Sequence, residues 1–294
     1  MIDPKSLTAF AAVLRHGSFE AAAHELSVTP SAISQRIKGL EERLGSVLVQ
    51  RGTPCIATEV GARLHRHSEE VALLEATLAK DLDLPNASPT PPHIKIATNA
   101  DSLASWLMPA LAASEGVMYE LIVDDQEHSA EWLRRGEVQA AITSHSTAIQ
   151  GNDSAPLGSL RYIASASPEF IKRWCPQGIT DEAIRTAPAL LYSHKDKLQR
   201  EWVHRQLGHN ITTQNHKIPS ARGFVDAALL GMGWGMNPEV LIRDHLTQGR
   251  LVALDPATPL DIPLFWQVNR RVAPALAPLT KAVKLAATKS LLPP

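Results

Sequence analysis

Cysteine is almost missing from this chain: Cys55 and Cys175 are the only two in 294 residues. That excludes a disulfide framework, and their separation fits no metal-ligand spacing, so both are expected to be inert thiols. Long apolar runs are missing as well; none reaches the roughly 18 residues that a membrane-spanning helix needs. The opening MIDPKSLTAF lacks the basic and apolar regions of a secretory signal, which makes a reducing cytoplasm the expected setting. Enzyme signatures are also lacking. There is no G-x-S-x-G, H-E-x-x-H or P-loop, and Gly231-Met-Gly-Trp-Gly235 has the wrong spacing for a dinucleotide fingerprint. The twelve histidines are scattered. No catalytic residue, metal or cofactor is therefore expected.

A surplus of positive charge is the last absence. The formal net charge is −1, and residues 1–60 balance six Lys and Arg against six Asp and Glu. Without a basic patch, a nucleic-acid-binding role would have to rest on base contacts and on several copies of the binding unit.

Such a unit is what residues 18–51 spell. Phe19, Ala22, Ala23 and Leu26 form one apolar face, and Ile33, Ile37, Leu40 and Leu44 form another at the same helical spacing. Between them lies a short turn, with Thr29 as N-cap and Pro30 as first helical residue. The second helix turns Ser31, Ser34, Gln35 and Lys38 outward with Arg36 at its side, short polar groups suited to reading the major groove. Upstream, Leu7, Phe10, Ala11 and Leu14 can close a three-helix core. Downstream, 47–51 suits a strand that presents Arg51 as part of a wing, before a turn at Gly52-Thr53-Pro54. The bland alternative is a helical hairpin with a solvated face.

From Thr58 a helix is predicted over about 59–82. Val60, Leu64, His67, Val71, Leu74 and Leu78 recur at 4-3-4-3-4 spacing, the seam of a coiled coil that pairs two copies, or else one face of an ordinary amphipathic helix. The stretch 84–92 holds four prolines in its last eight residues, and the domain boundary is expected there. The expected division is 1–58 for the winged helix-turn-helix, 59–92 for linker helix and hinge, and 93–294 for a regulatory domain.

Beyond the hinge, strands and helices alternate, which implies a parallel sheet covered on both faces. Strands are predicted at 94–98, 119–124, 140–143, 160–164, 189–192, 217–218, 234–236 and 264–268, with an irregular stretch at 144–158. Two lobes are expected, 93–163 with 268–294 and 164–267, with a ligand between them. Asn99–Ser102 opens a helix whose free N–H groups and Ser102 hydroxyl suit a carboxylate, and Ser220 opens another. Either is as readily a plain cap. Asp124 and Asp125 would bring carboxylates to the same crevice, suited to a cationic side chain.

These motifs together resemble the LysR-type transcriptional regulators over essentially the whole chain, most specifically in FEAAAHELSVTPSAISQRIKGLEERLG. NADSLASWLMPAL, LRRGEVQAAI, PLGSLRYIAS, KDKLQ and GMGWGMNPE are similar to the branch that controls export of arginine and lysine. The resemblance implies an α/β fold with an all-α winged helix-turn-helix in front, a long linker helix, and a bilobal, periplasmic-binding-protein-like, Rossmann-type effector domain. It implies that Ser34, Gln35 and Arg36 meet the major groove and that Arg51 is the wing arginine. It further implies that Ser102 meets the effector's carboxylate, with Asp124, Gln126 and Thr143 nearby and Ser220 on the opposite lobe. The implied partners are promoter DNA, a basic amino acid, further copies in a homodimer or homotetramer, and RNA polymerase, with no membrane. The implied output is activation of an exporter gene. Two positions depart from the pattern: Pro30 replaces a base-reading Gln, and Arg222 stands where the branch carries an acid. Arg222 leaves a neutral or anionic effector open. A solute receptor fused to a dimerisation hairpin is the alternative outside this family.

Overall fold

The computed structural model describes residues 2–84, 91–124 and 129–294. The chain divides into two compact units. One comprises the residues up to His93 with Gly116–Met118, and the other the remainder.

The first unit opens with α1 (Pro4–His16), α2 (Phe19–Glu25) and α3 (Pro30–Leu44). Each start is fixed by a side-chain cap: Asp3 accepts from the Ser6 N–H, Ser18 from that of Ala21, and Thr29 from that of Ala32. α1 and α3 end on Gly17 and Gly45, both left-handed with φ of 64° and 65°. Phe10 and Val13 of α1, Ala22 and Ala23 of α2, and Ile33, Ile37 and Leu40 of α3 form the shared core. The wing is a hairpin of β1 (Val49–Gln50) and β2 (Ile56–Ala57), paired antiparallel. Glu41 ties it to α3, its Oε1 accepting the N–H of Leu48 at 2.7 Å and of Val49 at 3.3 Å.

α4 (Glu59–Asp81) follows the wing without a spacer. Its cap, Thr58, accepts the Gly61 N–H and donates its own hydroxyl proton to the Val47 carbonyl at 2.7 Å. Gly61 is required here, because a Cβ would lie 2.0 Å from the Leu48 carbonyl oxygen. α4 packs on α1, where the Phe10 and His65 rings meet edge to face. Leu64, which the heptad spacing assigns to a pairing seam, is instead buried in this unit's own core. The wing bends α4 back over α1, so this early position faces inward.

β3 (His93–Thr98) leads from His93 into the second unit. α5 (Ala100–Ser102), a wider π turn at Leu103–Leu107 and α6 (Met108–Ala112) replace the single predicted helix. Pro109 has no N–H to continue the i to i−4 ladder, which accounts for the widened turn. Then come β4 (Met118–Val123), α7 (Ser129–Arg134), β5 (Ala140–Thr143) and β6 (Asn152–Ala166). α8 (Pro168–Trp174), α9 (Asp181–Thr186), β7 (Ala189–Leu191), α10 (Leu198–Leu207) and β8 (Asn215–Lys217) follow. The chain continues through α11 (Ala221–Leu229), β9 (Gly235–Pro238), α12 (Glu239–Thr247) and β10 (Val252–Ala253) to β11 (Leu260–Asn269) and α13 (Ala277–Ser290).

The large sheet runs β10-β6-β11-β5-β3-β4, with β9 also on β6, and β7 pairs with β8 in a second small sheet. The expected all-parallel sheet is corrected to a mixed one. β3–β5 and β7–β8 are parallel, whereas β5–β11, β6–β11, β6–β9 and β6–β10 are antiparallel. The long strands β6 and β11 pair along their length and make the spine that both halves share. β6 begins at Asn152, inside the stretch expected to be irregular. Pro156 and Gly158 blur its alternation in the sequence, and the sheet absorbs them beside a register shift at Leu264/Phe265. Gly158 has φ of +120°, and a Cβ there would strike the Leu292 carbonyl.

Candidate functional site

On the first unit, α3 buries Ile33, Ile37 and Leu40 and leaves Ser31, Gln35 and Lys38 exposed, with Ser34 and Arg36 half-buried between the faces. The 3.6-residue period alone divides α3 in this way. Arg51 is exposed at the wing, its guanidinium 5.1 Å above the Phe19 ring at the start of α2. That stacking holds a flexible cation beside the outer face of the helix pair. Lys38 forms an exposed ion pair with Glu42 at 3.7 Å. Along α4, Val60, Leu74 and Leu78 are large exposed apolar residues, His67 is exposed and Val71 half-buried. Such a run of uncovered apolar side chains suits a partner surface.

The second unit holds a cavity of about 290 Å³, close to the lower end of ordinary ligand sites. One wall comes from the ends of β3 and β4 and the loop after β5: Asn99, Ala100, Asp101, Asp124 and Ser144. The facing wall is the loop after β7 and the start of α10, and α11 adds Ala221 and Phe224. Tyr162 of β6, Met236 of β9 and Ile262 of β11 also line the cavity.

Two carboxylates stand in the first wall. Asp101 accepts the Tyr162 phenol proton at 2.7 Å. Asp124 accepts the Trp132 indole N–H at 3.1 Å on Oδ2 and the Lys195 ammonium at 3.1 Å on Oδ1. Burial first, then the negative charge of Asp101, pushes the Tyr192 phenol up, so it remains a neutral donor. Ser102 is fully buried one residue beyond Asp101, and its hydroxyl oxygen has no hydrogen-bond partner. Ser102 is not among the residues lining the cavity but lies next to one of them, Asp101; an orphaned buried hydroxyl there suits a ligand oxygen more than a folding role.

The other expected positions fall differently. Gln126 lies outside the described residues. Thr143 is buried, donating to the His145 carbonyl and accepting from Gln267, so its hydroxyl serves the fold; its neighbour Ser144 lines the cavity instead. Ser220 is exposed and caps α11 through the Gly223 N–H at 3.1 Å. Arg222 is exposed and is not among the lining residues. Lys195, Tyr162, Tyr192, Glu201 and Phe224 were not anticipated. KDKLQ and PLGSLRYIAS flag the first two, but nothing in sequence spacing says that a loop and a strand more than 30 residues apart line one cavity with Asp124. Among the described residues, no group of three or more His, Cys, Asp or Glu could hold a metal ion, and no helix is long and apolar enough to cross a membrane.

Residues 4–62 match the family described as bacterial regulatory helix-turn-helix protein, lysR family, and residues 88–287 match the LysR substrate binding domain. The chain belongs to the LysR family. Among curated LysR-family proteins it is 40% identical to the HTH-type transcriptional regulator LysG of Mycobacterium tuberculosis over 98% of this chain and 96% of that protein. It is 38% identical to ArgP of Pseudomonas fluorescens over 100% and 99%. The crystal structure of ArgP from Mycobacterium tuberculosis covers 100% of both chains at 39% identity with a TM-score of 0.81. Full-length LysG from Corynebacterium glutamicum, solved with bound effector Arg, covers 99% of this chain and 100% of its own at 35% identity and a TM-score of 0.70. This LysR-family chain is a transcriptional regulator, with a DNA-binding head and an effector-binding domain, and not an enzyme.

Proposed function

We propose that the cavity binds L-lysine or L-arginine and that the bound state controls transcription of an exporter of basic amino acids. The observation that carries this reading is Asp124, a carboxylate in the cavity wall that already accepts an alkyl ammonium. Asp101 in the lining offers a carboxylate for the ligand's amino end, and the orphaned Ser102 hydroxyl, buried just behind the lining, is the group we assign to its carboxylate end. The arginine bound in the LysG relative supports the same chemistry. Arg222 stands away from the lining, so its positive charge gives no reason to prefer an anion.

In this reading Ser31, Ser34, Gln35, Arg36 and Lys38 meet the major groove and Arg51 the adjacent backbone or minor groove. α4 pairs two copies through Val60, His67, Val71, Leu74 and Leu78, and two such pairs make a tetramer on promoter DNA in the cytoplasm. Ligand then changes the spacing of the heads and the access of RNA polymerase. Calorimetry with L-lysine, L-arginine and L-histidine tests the effector; no heat from any of them would sink it. Ser102→Leu is expected to lower effector affinity at least tenfold, with operator retardation in gel shifts unchanged. Wild-type affinity in that variant contradicts the site.

A further inference from the structure

Lys195 stands in the loop after β7, on the wall opposite Asp124, and its ammonium bridges the cavity to Asp124 Oδ1 at 3.1 Å. The loop that carries it is pinned. Asp196 accepts the N–H groups of Tyr192 at 2.9 Å and Leu198 at 3.1 Å, and Ser193 Oγ accepts that of Lys195 itself at 3.1 Å. Asp124 is oriented independently through Oδ2 by the Trp132 indole. The backbone on one side and the carboxylate on the other are therefore fixed, while the link between them is an alkyl ammonium with four rotatable bonds. Its chemistry is that of a free lysine side chain.

We infer that Lys195 is a tethered stand-in for the ligand's cationic side chain: it holds Asp124 at 3.1 Å and yields that carboxylate when a basic amino acid enters. The inference rests on the basic amino-acid reading of the site and adds a selectivity device to it. Replacing one ammonium by another at Asp124 changes the Coulomb energy there little, so a cationic ligand recovers most of what displacing Lys195 costs. A neutral amino acid offers no cation in exchange and would leave the Asp124 carboxylate without its ammonium if it pushed Lys195 aside. The same competition raises the ligand concentration at which the regulator responds, because binding must draw on the fraction of molecules whose Asp124 is open. The bridge also joins the two walls, so its exchange is coupled to their separation. Lys195 and Asp124 are only partly exposed, with 36% and 22% of their side-chain surfaces accessible, enough for the ammonium to swing out.

Lys195→Met keeps the length of the side chain and removes the charge. Relative to the wild type it is expected to bind L-lysine and L-arginine about three- to fivefold more tightly, the range for a partly exposed pair. Lys195→Arg is expected to stay near wild type. L-norleucine, the uncharged isostere of lysine, is expected to gain nothing from Lys195→Met. Unchanged or weaker binding of the basic amino acids in Lys195→Met overturns the inference, and so does an equal gain for norleucine, which would make Lys195 a steric plug. If neither protein takes up lysine or arginine, the effector reading itself fails. Hydrogen exchange of the ligand-free protein then decides the tether: residues 192–198 should exchange faster in Lys195→Met and in Asp124→Asn, with no added effect in the double variant. Unaltered exchange overturns it.

Discussion

Arg161 on β6 and Asp261 on β11 face each other across the spine, joined by two hydrogen bonds of 2.8 Å each. The hydrogen bonds from Arg161, against the opposing effect of burial and with the guanidinium charge adding to them, hold the Asp261 carboxyl below its ordinary 3.8. A depressed carboxylate contributes stability that is fully present above the unfolded value and is lost as pH falls through the folded one. Both side chains are more than a third exposed, at 35% and 38%, so solvent screening keeps the contribution small. Arg161→Met is expected to cost at most about 1 kcal/mol near neutral pH. That difference should shrink as the pH falls below the ordinary 3.8 and through the lowered folded value, as followed by urea unfolding at neutral and acid pH; a gap that widens in acid would contradict it. At this same scale the ligand site was only partly legible. Asp124 and Ser102 sit at strand and helix ends, where the rule of ligands at strand termini points. Lys195 belongs to a loop, and which wall a loop side chain joins depends on the path of β7 and α10. Thr143 and Ser220 fell at the right ends of their elements, yet their hydroxyls are taken by Gln267 and by the Gly223 N–H.

The elements of the head were legible because their boundaries are local chemistry. Thr29 and Pro30 start α3, Gly45 ends it, and the i, i+3, i+4 apolar residues decide which face turns inward. β2, α9 and β10 carry weaker local signals, and the first half of β6 is masked by Pro156 and Gly158. For such strands pairing decides, and pairing is not local. α4 shows the division within one element. Its heptad spacing is real, but tertiary packing takes Leu64 for the head while Leu74 and Leu78 remain uncovered, 40% and 58% exposed. A Leu74→Asp, Leu78→Asp double variant is expected to run as a monomer in sedimentation while its circular dichroism stays native. A variant that remains a dimer would move the pairing surface off α4. Since neither side chain belongs to a core of the isolated chain, loss of folding is not the expected cost.

For the whole molecule, the net charge of −1 and the evenly balanced first 60 residues limit how far phosphate attraction can carry binding. Of the proposed contact residues on each head, Arg36, Lys38 and Arg51 are cations, and Lys38 already faces Glu42. A pair of heads should therefore show a slope of log K against log salt of about −5 or shallower. Fluorescence anisotropy over a salt series measures it, and a slope near −10 would mean that phosphate contacts lie elsewhere on the surface. The junction between wing and α4 has a practical consequence for anyone exchanging parts among such regulators. Thr58 bonds back to Val47, Gly61 admits the Leu48 carbonyl against the helix, and Leu64 completes the head's interior. A chimera spliced at residue 58 would give a foreign lever arm to a head whose floor it must also form. One spliced beyond Asp81 carries that floor along, and the transplanted head keeps its own handle.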